Sequence, residues 1–314
     1  MAKRRQFSRR GFQVMKNSAF TNEQILSWMQ YFGTQTAIDL ERIKIVDMSR
    51  EDKNLLPAIH NFRTVLAFLD AGQNGIFYKL WDAGLGDCDV WLGEGLTPDG
   101  KPIRPCKLPG VLRHDLTGPA AVLIQNPAAR NTARIGLKND NFSLGSVRYV
   151  GSEIRSVIMS MLHVDIQDTI CIISGESIAV ESAIMASAGK IIAVEYREAD
   201  RALMESNCDK FGLNNVAIVE NARPETLSGL PVPTLSFIVA TGRLESEIQD
   251  LLAVNPRMQF VVYTLELDIL AKIPALFEKY GIHDTEITQI AVSKLDADNR
   301  FRPQPSPWLI AGAV

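Results

Sequence analysis

Thr169-Ile170-Cys171-Ile172-Ile173 and Lys190-Ile191-Ile192-Ala193-Val194-Glu195, joined through the turn Ser174-Gly175-Glu176-Ser177, form the stretch whose reading decides the fold. Both runs are apolar without alternation, the pattern of strands covered on two faces. Residues 178–188 suit a helix, and Gly189 ends it. Strand, helix and strand in this spacing make a parallel βαβ unit, with Glu195 closing its second strand.

The pattern continues on both sides. Upstream, Ser152 is read as the cap of a helix over 152–162. Downstream, residues 197–210 form a long helix stopped by Gly212. Val216-Ala217-Ile218-Val219, Leu235-Ser236-Phe237-Ile238-Val239 and Gln259-Phe260-Val261-Val262-Tyr263 supply three more strands. Helices are expected over 246–252 and 267–280, and 286–292 with 307–311 as a closing antiparallel pair. Five βα steps ended by such a pair are the layout of a class I methyltransferase, a Rossmann-like α/β domain over 151–314.

The first half reads as a smaller α/β lobe over 22–126. A helix over 22–33 puts Ile25, Met29 and Phe32 on one face, with Asn22 as a possible cap. Strands are expected at 43–46, 64–69, 88–92 and 120–124, with a helix at 76–81. The Gly- and Pro-rich stretch 93–110 is expected to be loop, and 127–150 a linker. Strands alternating with helices imply parallel βαβ pairing here too.

Composition narrows the function. The 314 residues exceed one typical domain, and 46% hydrophobic with 22% charged residues is ordinary for a folded protein. A net charge of −3 gives no electrostatic reason to expect nucleic acid. Cys88, Cys106, Cys171 and Cys208 include no C-x-x-C pair and read as reduced thiols of a cytoplasmic protein; with scattered histidines, no metal site is expected. No apolar run is long enough to span a bilayer. Lys3, Arg4, Arg5, Arg9 and Arg10 form a basic run in which Ser8-Arg9-Arg10-Gly11-Phe12 superficially resembles a twin-arginine signal, but polar residues follow, so 1–21 is read as a disordered basic tail.

In this layout a ligand lies outside the carboxyl ends of the strands. A carboxylate ending the second strand can accept hydrogen bonds from both hydroxyls of a ribose. Glu195 stands there, roughly 20 residues beyond the first loop. Gly175 in that loop would let backbone approach the methionine end of the cofactor S-adenosylmethionine. Arg243, in the loop Thr241-Gly242-Arg243, is a candidate for pairing with a substrate carboxylate. A surface carboxylate, an ordinary turn and a solvated arginine are the plain alternatives.

Gly151-Ser152-Glu153-Ile154-Arg155, the strand ending at Glu195, and Asn221-Ala222-Arg223-Pro224-Glu225-Thr226-Leu227 resemble the decarboxylating precorrin-6Y methyltransferases of cobalamin biosynthesis. Ala71-Gly72-Gln73-Asn74 and Ala83-Gly84-Leu85-Gly86-Asp87-Cys88-Asp89-Val90-Trp91 resemble the C-terminal lobe of the tetrapyrrole methylase often fused ahead of them. The resemblance implies methyl transfer from S-adenosylmethionine to carbon 15 of a precorrin-type tetrapyrrole, with loss of an acetate carboxyl as carbon dioxide, in a homo-oligomer. It places Val150, Ser174, Gly175, Glu195, Ala222 and Ala240 on the cofactor side, and names no catalytic side chain. Val150 stands where that family has threonine, Ser174-Gly175-Glu176 where it has Gly-x-Gly-x-Gly, and Asn221 where it has aspartate. These replacements raise the alternative of an inactive relative that binds or scaffolds a tetrapyrrole.

Overall fold

The computed structural model describes residues 19–36, 38–50, 52–130, 135–143 and 150–314. It contains two separate larger sheets. The first takes β1 (Ile43–Asp47), β2 (Thr64–Leu69), β3 (Asp89–Glu94), β4 (Cys106–Lys107) and β5 (Ala120–Gln125) in the order β1-β2-β5-β3-β4. Helices α1 (Asn22–Thr36), α2 (Leu55–Asn61) and α3 (Gly75–Asp82) cover it. Side chains alternate along the strands, so Val65, Ala67, Leu69, Val122 and Ile124 pack toward α2 and α3. Leu66, Phe68, Ala121 and Leu123 meet Trp28 and Phe32 of α1 on the other face.

Three expectations are corrected here. Parallel pairing holds only for β1 with β2; β5 runs antiparallel to both β2 and β3. Strand–helix alternation shows that connections are long, not which way each strand enters the sheet. The expected loop at 93–110 contributes the end of β3 and all of β4, paired at Asp89–Lys107 and Val90–Cys106. The cap of α1 is Thr21, not Asn22. The Thr21 N–H donates to Gln24 Oε1 at 2.8 Å and the Gln24 N–H to Thr21 Oγ1 at 3.3 Å, a reciprocal capping box.

The expected tail falls mostly outside the described residues, but its last part is ordered. Phe20 is buried, 4.8 Å from the Phe68 ring by centroids, and the Ala19 N–H donates to Ser49 Oγ.

The second sheet follows α4 (Ser152–Leu162). It comprises β6 (Thr169–Ile173), β7 (Lys190–Val194), β8 (Val216–Val219), β9 (Leu235–Val239), β10 (Gln259–Thr264), β11 (His283–Gln289) and, after the small hairpin β12 (Ser293–Leu295) and β13 (Phe301–Pro303), β14 (Trp308–Ala313). Its order is β11-β14-β10-β9-β6-β7-β8, parallel throughout except for β14, which runs antiparallel to β10 and β11. Helices α5 (Glu176–Met185), α6 (Glu198–Phe211), α7 (Pro224–Leu227) and α8 (Leu244–Val254) connect the strands. The helix expected over 267–280 is two, α9 (Leu267–Leu270) and α10 (Ile273–Lys279), because Pro274 fits only a first turn. Gly151, not Ser152, is the cap residue of α4.

Both faces of this sheet are covered, as its unalternated strands require. Ile170, Ile172, Ile191 and Ala193 pack toward α4, α5 and α6, while Cys171, Ile173, Ile192 and Val194 pack toward α8 and α10. A polar junction ties the first sheet's helices to the second unit: Asn54 Nδ2 donates to Asn215 Oδ1 at 2.8 Å, and the Asn214 N–H donates to Asn54 Oδ1 at 2.7 Å. Among the described residues no helix is long and apolar enough to cross a membrane.

Candidate functional site

From β6 the chain moves outward through β7 and β8, then crosses back to β9 on the other side of β6. The order reverses between β6 and β9, and the crevice outside the carboxyl ends of the strands opens there. Ser174 follows β6, Glu195 follows β7, Asn221 and Ala222 lie just past β8, and Thr241 just past β9.

A cavity of about 300 Å3 is lined by Ser174, Glu195, Tyr196, Arg197, Asp200, Thr241 and Arg243. Glu195 is 1% exposed, and its Oε2 has no hydrogen-bond partner. Its backbone is fixed: the N–H donates to the Val219 carbonyl at 2.9 Å, and Arg201 Nη1 donates to the Glu195 carbonyl at 2.8 Å. Burial raises the Glu195 carboxyl to about 8, with the Glu176 and Asp200 carboxylates adding to the rise. A buried, incompletely satisfied acid facing a cavity is an acceptor waiting for a donor.

A second cavity, of about 610 Å3, shares Tyr196 and Arg243 with the first and adds Asn221, Ala222, Arg223, Glu220, Ser246, Glu247 and Asp250. The Arg243 guanidinium lies over the Tyr196 ring at 4.4 Å from its centroid, a cation–π contact. The Tyr196 hydroxyl donates to Glu247 Oε1 at 2.5 Å, and burial together with this carboxylate holds the phenol protonated.

The structure thus brings Ser174, Glu195 and Arg243 to one cavity and Ala222 and Arg243 to the other. Ser174 takes a left-handed backbone, φ 56°, at the position where glycine is usual, and its N–H donates to the Val194 carbonyl. Gly175 answers to the core rather than to the cavity. A β-carbon there would come within 2.8 Å of Ile172 Cγ2 and 3.0 Å of the Phe237 ring. Val150 is buried in the core beneath α4, its carbonyl accepting from Arg155 Nη1 at 3.1 Å. Ala240 packs its methyl among residues of the α8 side, and its N–H donates to the Tyr263 carbonyl. Neither is among the residues lining the two cavities.

Sequence reading passed over Tyr196, Asp200 and Glu247. Glu247 did leave a signal. With Leu244, Ile248 and Leu251 it forms the buried stripe of α8, and a carboxylate in such a stripe needs a partner or a purpose.

Residues 149–305, half of the chain, match the sequence profile of a precorrin methyltransferase domain. A protein of Pyrobaculum calidifontis described as a probable cobalt-precorrin-6B C(15)-methyltransferase (decarboxylating) is 32% identical over 158 residues, 48% of this chain and 79% of that protein. Among solved structures, a precorrin-6Y C5,15-methyltransferase from Geobacter metallireducens superposes with a TM-score of 0.53 at 26% identity, over 57% of this chain and 96% of that one. A precorrin-8w decarboxylase from Methanobacterium thermoautotrophicum gives 0.50 at 20% identity, over 57% and 100%. At that identity the second likeness speaks for the fold alone.

Proposed function

The chain belongs to the precorrin methyltransferase family, and on that premise we propose that it methylates a precorrin-type tetrapyrrole in cobalamin biosynthesis. The methyl group goes to carbon 15, and an acetate side chain leaves as carbon dioxide. The inactive alternative finds no support in the relatives at 32% and 26% identity, both of which are named as methyltransferases.

One observation carries the proposal: Glu195 Oε2 is buried, unpartnered and facing a cavity at the carboxyl end of β7. That oxygen fits a ribose diol, whose hydroxyls supply the missing donors. The residues present therefore suit S-adenosylmethionine, which when bound supplies an electrophilic methyl group. Glu195 holds the ribose, and Ser174 with Thr241 borders the side toward β6 and β9. Arg243, shared by both cavities, is a cation available to a substrate carboxylate. The nucleophile is a carbon of the macrocycle itself, so the chain's contribution is to hold the reactants in line and exclude water.

We further propose that the two sheets are two domains dividing within 127–150, in a homo-oligomeric cytoplasmic protein whose first unit descends from a tetrapyrrole methylase lobe. The activity is tested by incubating the protein with S-adenosylmethionine and a C15-unmethylated precorrin. Incorporation of a labelled methyl group together with release of carbon dioxide is expected; failure of both with a substrate that a characterised relative converts would refute it.

A further inference from the structure

Glu247 is, like Glu195 and Asp200, a buried carboxylate beside the cavities, and the proposed methyl transfer gives it no role. It is 3% exposed on α8, where its neighbours in the stripe are Leu244, Ile248 and Leu251. Its Oε1 accepts the Tyr196 hydroxyl hydrogen, whereas Oε2 has no partner and the residue lines the 610 Å3 cavity. A carboxylate oxygen held out of water without a donor costs stability, so its retention here calls for a ligand group that satisfies it.

We propose that Glu247 Oε2 accepts a hydrogen bond from the exocyclic amine of the cofactor's adenine, making Glu247 the residue that selects an adenine nucleoside. This rests on the reading of Glu195 as the ribose acceptor. Glu195 and Tyr196 are consecutive, and Tyr196 forms a wall common to both cavities. A base attached to a ribose at the end of β7 extends toward the end of β8, which is where the second cavity lies. Of the other acids and amides lining that cavity, Glu220 is exposed and Asp250 half-buried, so water reaches both, and Asn221 is already committed. Its Oδ1 accepts from Thr226 Oγ1 at 2.7 Å and from the Arg223 N–H at 3.1 Å, filling both lone pairs in the turn that leads into α7. The acceptor role at the base edge falls to Glu247.

The chemistry of selection is simple. An exocyclic amine offers only donors to the carboxylate, while a 6-oxo purine would point its own lone pairs at it. Titration calorimetry on the full chain, with S-adenosylhomocysteine and its deaminated analogue S-inosylhomocysteine, separates the possibilities. The wild type should prefer the adenine ligand by roughly 10- to 100-fold. In Glu247→Gln the amide oxygen still accepts from Tyr196, which turns the NH2 toward the cavity; the preference should vanish or invert. Glu195→Ala should weaken both ligands alike. Equal affinity of the wild type for the two ligands, or an unchanged preference in Glu247→Gln, overturns the assignment of Glu247 while leaving the cofactor site standing. Absence of binding by either ligand removes both.

Discussion

Arg155 Nε donates to Glu181 Oε1 at 2.6 Å with both side chains fully buried, and the pair clasps the segment joining the two sheets. Glu181 accepts the N–H groups of Gly136 and Leu137, each at 2.8 Å. Arg155 donates in turn to the carbonyls of Val150 and Leu137 and lies over the Phe142 ring at 4.6 Å. Each charge therefore has geometry good enough to offset its desolvation.

Removing one partner leaves the other charged and alone. Arg155→Ala should cost about 3–5 kcal/mol of unfolding free energy, whereas replacing both with apolar residues of similar volume should cost far less. Urea denaturation of the single and double variants measures the difference. A single-variant loss below about 1 kcal/mol would mean that water reaches the pair.

Two adjacent residues of the first loop should respond in opposite directions. Ser174 holds φ 56°, so Ser174→Gly relieves a left-handed backbone and should stabilise the protein by about 0.5–1 kcal/mol after the gain in unfolded-state entropy. Gly175→Ala drives a methyl against Ile172 and Phe237 and should destabilise by about 1–3 kcal/mol. Thermal melts of the two variants test the pair of signs.

The second sheet was legible because parallel strands buried on both faces announce themselves as unbroken apolar runs. Ile170–Ile173 and Ile191–Val194 read as strands and are strands. In the first sheet the strands were equally visible, but the direction of β5 depends on tertiary pairing that no local pattern encodes. Glu195 could be placed from topology and spacing. Glu247 and Arg155 could not, since a charge in an apolar stripe gains meaning only when Tyr196 or Glu181 is seen beside it. Phe20 was lost to the polar company around it in the sequence, although its ring packs on Phe68. Phe20→Ala should accordingly cost about 3 kcal/mol, measurable by denaturant titration; an unchanged midpoint would return it to the tail.

The Glu195 carboxyl makes stability depend on pH with a definite sign. Its value is about 8 in the folded chain against 4.5 when unfolded, so between those values the folded state binds the proton more tightly. Its contribution is complete below about pH 4.5 and is lost as pH rises through about 8. Glu195→Gln should abolish that loss. The variant should be more stable than the wild type at pH 9, by on the order of 4 kcal/mol, and nearly equal to it at pH 4.5. Melting curves across this range check it; parallel curves for the two proteins would show that the carboxyl is solvated.

Whether Glu195 holds the ribose of S-adenosylmethionine is tested most directly by calorimetry with S-adenosylhomocysteine. The ribose hydroxyls donate to the ionised acid, so binding at pH 7 must expel the proton that burial keeps there. Titrations in two buffers of different ionisation enthalpy should show close to one proton released per ligand. Glu195→Ala should release none and bind about 30- to 150-fold more weakly. No heat of binding at millimolar ligand, or binding by Glu195→Ala as tight as that of the wild type, would mean that Glu195 does not hold the ribose.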